Sequence, residues 1–144
     1  MDNPDLKPFE PLVGLWRSSG RTVPGRFGPA VEIEGTDAYE WLGDGFLVHH
    51  VDVRMGDEQV RVIELIGEYD PASRTYAMRA FDNAGTVSVM RASVDADGVW
   101  TFADASTRAV LTITADGGTM AARWERTDED GNWHHWIDMQ FARA

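Results

Sequence analysis

Residues 107–141 read TRAVLTITADGGTMAARWERTDEDGNWHHWIDMQF and carry the clearest indication of the fold class. Three runs in this stretch alternate apolar and polar residues, and the turn sequences Asp116-Gly117 and Asp130-Gly131 separate them. A period of two is typical of strands with one buried face, and Asp-Gly between such runs is typical of a hairpin. The stretch therefore predicts three antiparallel strands in sequence.

The apolar residues of these three runs share one face if the hairpin loops contain an even number of residues. Directly opposed residues of a hairpin point to the same side of the sheet, so loop parity carries the face from one strand to the next. On the last run His135 has the same parity as Ile137 and Met139. The predicted inner residues of the first two runs are Ala109, Leu111, Ile113, Met120, Ala122 and Trp124.

The same alternation of short runs and turns extends back to Leu12. Turn sequences recur roughly every 10 to 15 residues, as in meanders of antiparallel strands. They include Gly43-Asp44-Gly45, Gly56-Asp57, Asp70-Pro71, Asn83-Ala84-Gly85 and Asp97-Gly98. The one place for a helical turn is around Pro8 to Val13. The prediction is an all-β fold.

Even loops throughout give one continuous inner face. Glu32, Glu34 and Glu40 must face water, which places Tyr39 and Trp41 inside. The face then continues through Phe46, Val48, His50, Ile63, Leu65, Tyr69, Tyr76, Met78, Ala80, Val87, Val89, Trp100 and Phe102. One apolar face along a whole meander is what a closed sheet requires. We therefore predict a single antiparallel meander β-barrel of about ten strands.

Composition sets the class of protein. With 144 residues and 43% hydrophobic residues, the chain forms one domain over residues 12–144, preceded by a lead-in over residues 1–11. The net charge of −11 disfavours nucleic acid and anionic membranes as partners, because cationic side chains bind both. No apolar run approaches membrane length, and residues 1–11 have neither the basic start nor the apolar run typical of a signal peptide. We expect a cytoplasmic protein.

The first run, Leu12-Val13-Gly14-Leu15-Trp16-Arg17-Ser18-Ser19-Gly20, resembles the Gly-x-Trp signature of calycins, the superfamily of lipocalins and fatty-acid-binding proteins. The resemblance implies that Trp16 closes one end of the barrel under an arginine from a late strand. Arg143 is the expected arginine.

More of the chain resembles the DUF1579-like proteins, a bacterial family of unknown function within that superfamily. The matching segments are residues 39–47, 66–72, 81–85, 116–119 and 123–125. The resemblance implies a lipocalin-like barrel and no particular activity.

A weaker resemblance is to the nitrobindins, which are ten-stranded haem-binding barrels with a Gly-x-Trp-x-Gly opening and an axial histidine near the C-terminal strand. The chain departs from that opening, because Ser18 and Ser19 stand before Gly20 where the second glycine of the motif is expected. The resemblance implies a bound haem with His135 as its axial ligand. From the residues of the inner face alone, we expect no cofactor.

The predicted inner face carries few polar residues, which is the character of a ligand pocket. We predict a small, largely apolar or amphipathic ligand and no metal, because neighbouring residues such as His134 and His135 point to opposite faces and cannot chelate one ion together. The same holds for His49 and His50. The predicted ligand-binding residues are Tyr39, Trp41, His50, Leu65, Met78, Met120, Trp124 and His135.

Three functions remain open: a binding barrel, a haem barrel, and an enzyme such as a cyclase or isomerase of secondary metabolism. For the enzyme, His50 is the candidate base and Asp37 its carboxylate partner, since a carboxylate raises the pKa of an imidazole and fixes its tautomer. The alternative is a purely structural pair.

Orientation is the sharpest prediction. His50 and His135 should point into the barrel, and His49 and His134 should point out. Trp136 should lie on the outer face, either as a lone aromatic or as a contact in a homodimer. Ion pairs are expected at the barrel rim, between Asp52 and Arg61 and between Arg91 and Asp104.

Overall fold

Ten strands in simple chain order form a closed antiparallel barrel in the computed structural model, which describes all 144 residues. Each strand pairs with its neighbours in sequence, and β1 pairs with β10 to close the sheet. The predicted all-β meander barrel is confirmed. The strands are β1 (Gly14–Thr22), β2 (Glu32–Leu42), β3 (Phe46–Met55), β4 (Glu58–Asp70), β5 (Thr75–Asp82), β6 (Val87–Val94), β7 (Trp100–Ala103), β8 (Thr107–Ile113), β9 (Thr119–Thr127) and β10 (Trp133–Arg143).

One short 3-10 helix, Lys7–Leu12, covers an end of the barrel, where the sequence allows a helical turn. Its Phe9 is fully buried and stacks on Trp100, with ring centroids 4.3 Å apart. The ring of Tyr76 meets the ring of Phe9 edge-on, with centroids 4.7 Å apart. The lead-in therefore contributes to the core. No helix of the chain has the length and hydropathy needed to cross a membrane.

Trp16 and Arg143 close the same end, as the Gly-x-Trp resemblance implies. Trp16 is fully buried, and its Nε1 donates a hydrogen bond to the carbonyl of Leu12 at 2.8 Å. The Arg143 guanidinium lies 3.9 Å from the centroid of the indole and donates to the carbonyl of Pro11 at 2.7 Å. The last strand is thereby attached to the first turn of the chain.

The first departure from prediction is the turn after β2. Leu42 pairs with Phe46, so Gly43, Asp44 and Gly45 form a loop of three residues, an odd number. His49 therefore opposes Tyr39 and points inward. The predicted inward orientation of His50 is wrong: its side chain is 43% exposed and lies 3.2 Å from the carboxylate of Glu40 on the outer surface.

The turn between β3 and β4 has two residues, so the exchange of inner and outer faces that begins in β3 continues in β4. A bulge in β4 then restores the predicted faces. Glu64 and Ile66 are buried, whereas Leu65 lies on the outer face, contrary to prediction. One extra residue between Gly67 and Asp70 restores the predicted face in β5. Tyr76 and Met78 are therefore buried as expected.

Five residues, 82–86, separate the paired Phe81 and Val87, and this odd number puts the predicted inner residues of β6 on the outer face. Val87 and Val89 are exposed rather than internal. The loop 95–99 is also five residues long and returns Trp100 and Phe102 to the core.

A second bulge, between His135 and Ile137, corrects the start of β10. His135 pairs with Glu125 on the outer face, and its Nε2 lies 2.8 Å from Asp138 Oδ1, so its predicted inward orientation is wrong. Trp136, expected outside, packs against the core beside Phe27. Beyond the bulge Ile137 and Met139 are buried as predicted.

The expected rim ion pairs do not form. Asp52 sits opposite Arg61 in the sheet but accepts a hydrogen bond from Gln59 Nε2 at 3.1 Å. Asp104 accepts hydrogen bonds from the backbone of Ser106 and Thr107 in its own turn.

Candidate functional site

The barrel encloses a cavity of about 280 Å³. Its wall has 22 residues, of which 19 are hydrophobic; the other three are Asp37, His49 and Glu64. An apolar wall with a few polar groups on one side is the usual make-up of a small-molecule site.

Three of the predicted ligand-binding residues, Tyr39, Met78 and Trp124, line this cavity. Met120 is buried and Trp41 packs against the core, but neither reaches the cavity wall. The remaining three lie on the outer face: His50, Leu65 and His135.

The polar group comes from three adjacent strands. Asp37 lies on β2, His49 on β3 and Glu64 on β4, and His49 is the direct cross-strand neighbour of Glu64. Period two and the odd loop after β2 put all three on the inner face. Asp37, the one candidate catalytic residue that faces inward, therefore meets His49 and not His50.

His49 is held through both ring nitrogens. Nε2 lies 2.6 Å from Asp37 Oδ2, and Nδ1 lies 3.0 Å from Glu64 Oε1. The hydroxyl of Ser18 donates to Asp37 Oδ1, and the ring of Tyr39 stacks on the imidazole with centroids 4.0 Å apart. The imidazole is thus fixed in orientation on three sides.

Burial and charge set the protonation of the site. Burial lowers the pKa of His49, but the hydrogen bonds and negative charges of Asp37 and Glu64 outweigh it and raise the pKa to about 9. His49 is therefore an imidazolium at neutral pH that donates from both nitrogens. Burial, together with the charges of Asp37 and Glu64, raises the pKa of Tyr39 well above its usual value, so its phenol stays neutral.

This arrangement limits the chemistry of His49. An imidazolium with both N–H groups donated to carboxylates has no lone pair to accept a proton or to ligate a metal. The chain has no group of three or more His, Asp or Glu side chains arranged to hold a metal ion. Because no histidine presents a free nitrogen to the cavity, the residues present do not fit an axially ligated haem.

Sequence reasoning missed His49 and Glu64. The available signal is the turn Gly43-Asp44-Gly45, in which Gly43 adopts φ +54°. A three-residue hairpin loop with glycine in the left-handed region is a common alternative to the even loop. That reading would have placed both residues inside.

Comparison with known proteins identifies a family and a fold. The model of a family described as "Protein of unknown function (DUF1579)" matches residues 7–143. No curated protein matches the chain. Among solved structures, the crystal structure of Rv2717c from M. tuberculosis is similar, with a TM-score of 0.68, 14% identity and coverage of 98% of both chains. At this identity the likeness extends to the barrel fold alone.

Proposed function

The chain belongs to the DUF1579 family of proteins of unknown function, and we propose that it binds a small, largely apolar molecule inside its barrel. The observation that carries this proposal is the cavity itself, about 280 Å³ with 19 of its 22 lining residues hydrophobic. Apolar surface of this kind gains free energy when a ligand replaces solvent in contact with it.

The volume bounds the ligand. An engineered cavity of about 150 Å³ holds benzene, and typical ligand pockets span about 300–1,000 Å³. The cavity therefore suits a molecule of roughly ten non-hydrogen atoms, such as a bicyclic aromatic or a medium-length alkyl chain.

The two alternative functions receive less support from the geometry. The proposed base His50 is on the outer surface, away from Asp37, and His49 has both nitrogens engaged. His135, the histidine proposed for haem, bonds Asp138 on the outer face.

A direct test is to fill the cavity. Ala122 lines it, and Ala121 is its exposed neighbour on β9. We expect Ala122→Leu to weaken binding of the fluorescent probe 1-aminonaphthalene by about tenfold or more, because the added carbons occupy the ligand volume. The matched control Ala121→Leu should bind as the wild type does.

Fluorescence titration measures both affinities, and native mass spectrometry of the protein from its own host would show a retained molecule. If 1-aminonaphthalene binds Ala122→Leu and the wild type equally, the molecule sits elsewhere and the proposal is wrong.

A further inference from the structure

Two polar atoms in the cavity wall have no partner within the protein. Glu64 uses Oε1 for His49, which leaves Oε2 free, and the hydroxyl of Tyr39 makes no hydrogen bond. Both residues are only 8% exposed. Every side-chain N or O atom that is fully buried has a hydrogen-bond partner, so these two unpaired atoms must be accessible to solvent. Their residues line the cavity.

The two atoms differ in what they offer. A carboxylate oxygen only accepts hydrogen bonds, whereas a phenol donates one and accepts another. Because buried polar groups are normally hydrogen-bonded, a free acceptor and a free hydroxyl on residues that line one cavity mark where a ligand's polar end would be paired.

Charge narrows the ligand further. The group Asp37, His49 and Glu64 combines two carboxylates with one imidazolium, for a formal charge of −1, and both imidazolium N–H groups are already used. No cation remains in the cavity wall to meet an anion. A ligand carboxylate would be buried unpaired beside negative charge, which is strongly unfavourable.

We propose that the cavity selects amphipathic molecules whose polar end donates a hydrogen bond, a hydroxyl or an ammonium, and rejects carboxylates. The donor binds Glu64 Oε2, the hydroxyl of Tyr39 pairs with the same polar end when it also accepts, and the alkyl or aromatic part fills the apolar remainder. This inference rests on the proposed binding function and adds its ligand class.

The test compares four probes with the same alkyl chain by calorimetry at neutral pH: octylamine, octanol, octane and octanoate. After allowance for the free energy of removing each probe from water, octylamine and octanol should bind about tenfold or more tighter than octane, since the desolvated donor regains a hydrogen bond in the cavity. Octanoate should bind about a hundredfold more weakly than octanol. Octylamine is charged at neutral pH and octanol is not, while both donate a hydrogen bond. Comparing their affinities therefore separates the contribution of charge from that of hydrogen bonding.

Glu64→Gln separates selection from a structural role. The amide oxygen can still accept from His49 in place of Oε1, and the NH₂ group then replaces the free acceptor by a donor. Octylamine should lose about tenfold or more, and 2-octanone, which only accepts, should bind more tightly. Glu40→Gln, on the exposed face of the same sheet, is the control and should change neither affinity.

Tyr39→Phe is a second variant that keeps the ring stacked on His49. It should weaken octanol about fivefold and leave octane unchanged. If, after the same allowance, octane binds as tightly as octanol and octylamine, or if Glu64→Gln shifts all probes equally, the selection is wrong while the binding function stands. If none of the probes binds, octane included, the proposed function fails and the inference fails with it.

Discussion

At the scale of single residues, the unusual feature is a charged histidine inside an apolar cavity. His49 is 13% exposed at its side chain and lies between two carboxylates that are 8% and 11% exposed. Removing such charges from water is costly unless each is paired and hydrogen-bonded. Here every N–H of the imidazolium has a carboxylate acceptor, and Ser18 adds a further bond to Asp37. The group therefore fixes three adjacent strands in one register.

Stability should fall as the pH rises through the alkaline range. The pKa of His49 is raised from 6.5 to about 9 in the folded protein, so folding is favoured by protonation. This contribution is fully present below about pH 6.5 and is lost as the pH passes 9, with a size on the order of 3 kcal/mol. Urea unfolding between about pH 6 and pH 10 measures it.

The matched variants for that experiment are His49→Gln and His50→Gln. His49→Gln should lose most of the pH dependence in this range, whereas His50→Gln should keep it, because His50 is on the outer surface. A wild type whose stability is flat or rising across the range would contradict the pairing of His49 with Asp37 and Glu64.

At the scale of elements, the closed end depends on one arginine that joins the two ends of the chain. Arg143 donates to the carbonyls of Pro11, Val13 and Gly117 and covers the ring of Trp16. Arg143→Met should lower the free energy of unfolding by about 1–3 kcal/mol, through lost charged hydrogen bonds and the cation–π contact.

Arg143→Lys should recover less than half of that loss, because a single ammonium cannot reach three carbonyls as the planar guanidinium does. Arg123→Met, on the exposed side of β9, is the control and should cost little stability. Denaturant unfolding compares the three variants. If Arg143→Lys recovered the full free energy of unfolding, the positive charge alone, and not the several N–H donors of the guanidinium, would stabilise this end of the barrel.

The elements also show how far alternation predicts a barrel. The face of β8 and β9 follows from sequence. Within each strand Arg108, Thr112 and Arg123 have the parity opposite to the buried residues, and an even number of residues, 114–119, separates the paired Ile113 and Met120. β4 has apolar residues on both faces, with Val62 and Ile66 inside and Ile63 outside, so period two does not fix its register.

Where alternation does not determine which face of a strand points inward, the lengths of the loops and the positions of the bulges determine it. The five-residue loop 128–132 inverts the start of β10, and the bulge before Ile137 inverts it back. Two such changes cancel, so most of the core was predicted correctly while His135 at the hairpin was not. The turn at Gly43 and the bulge after Gly67 cancel in the same way. Between them, the predicted inner and outer faces of β3 and β4 are exchanged, and these strands carry His49 and Glu64 of the site.

At the scale of the whole molecule, the barrel is filled asymmetrically. One end is packed by Phe9 of the 3-10 helix, which stacks on Trp100 and meets Tyr76 edge-on. The other end carries the loop 23–31, which joins β1 to β2; its Phe27 is half-buried and lies 4.6 Å from the guanidinium of Arg126. Segments with few buried apolar contacts open at low free-energy cost, whereas packed cores open only with global unfolding.

Ligand exchange should therefore pass the loop 23–31 and not the helix. Phe27→Leu loosens the contacts with Arg126 and Trp136, so release of bound 1-aminonaphthalene should quicken several-fold at almost unchanged stability. Phe9→Leu alters a fully buried ring, so it should cost about 1 kcal/mol of stability and leave the release rate unchanged. Stopped-flow dissociation and urea unfolding measure the two effects separately. Faster release from Phe9→Leu, with none from Phe27→Leu, would place the entrance at the helix end, where the aromatic packing would then have to open without unfolding the barrel.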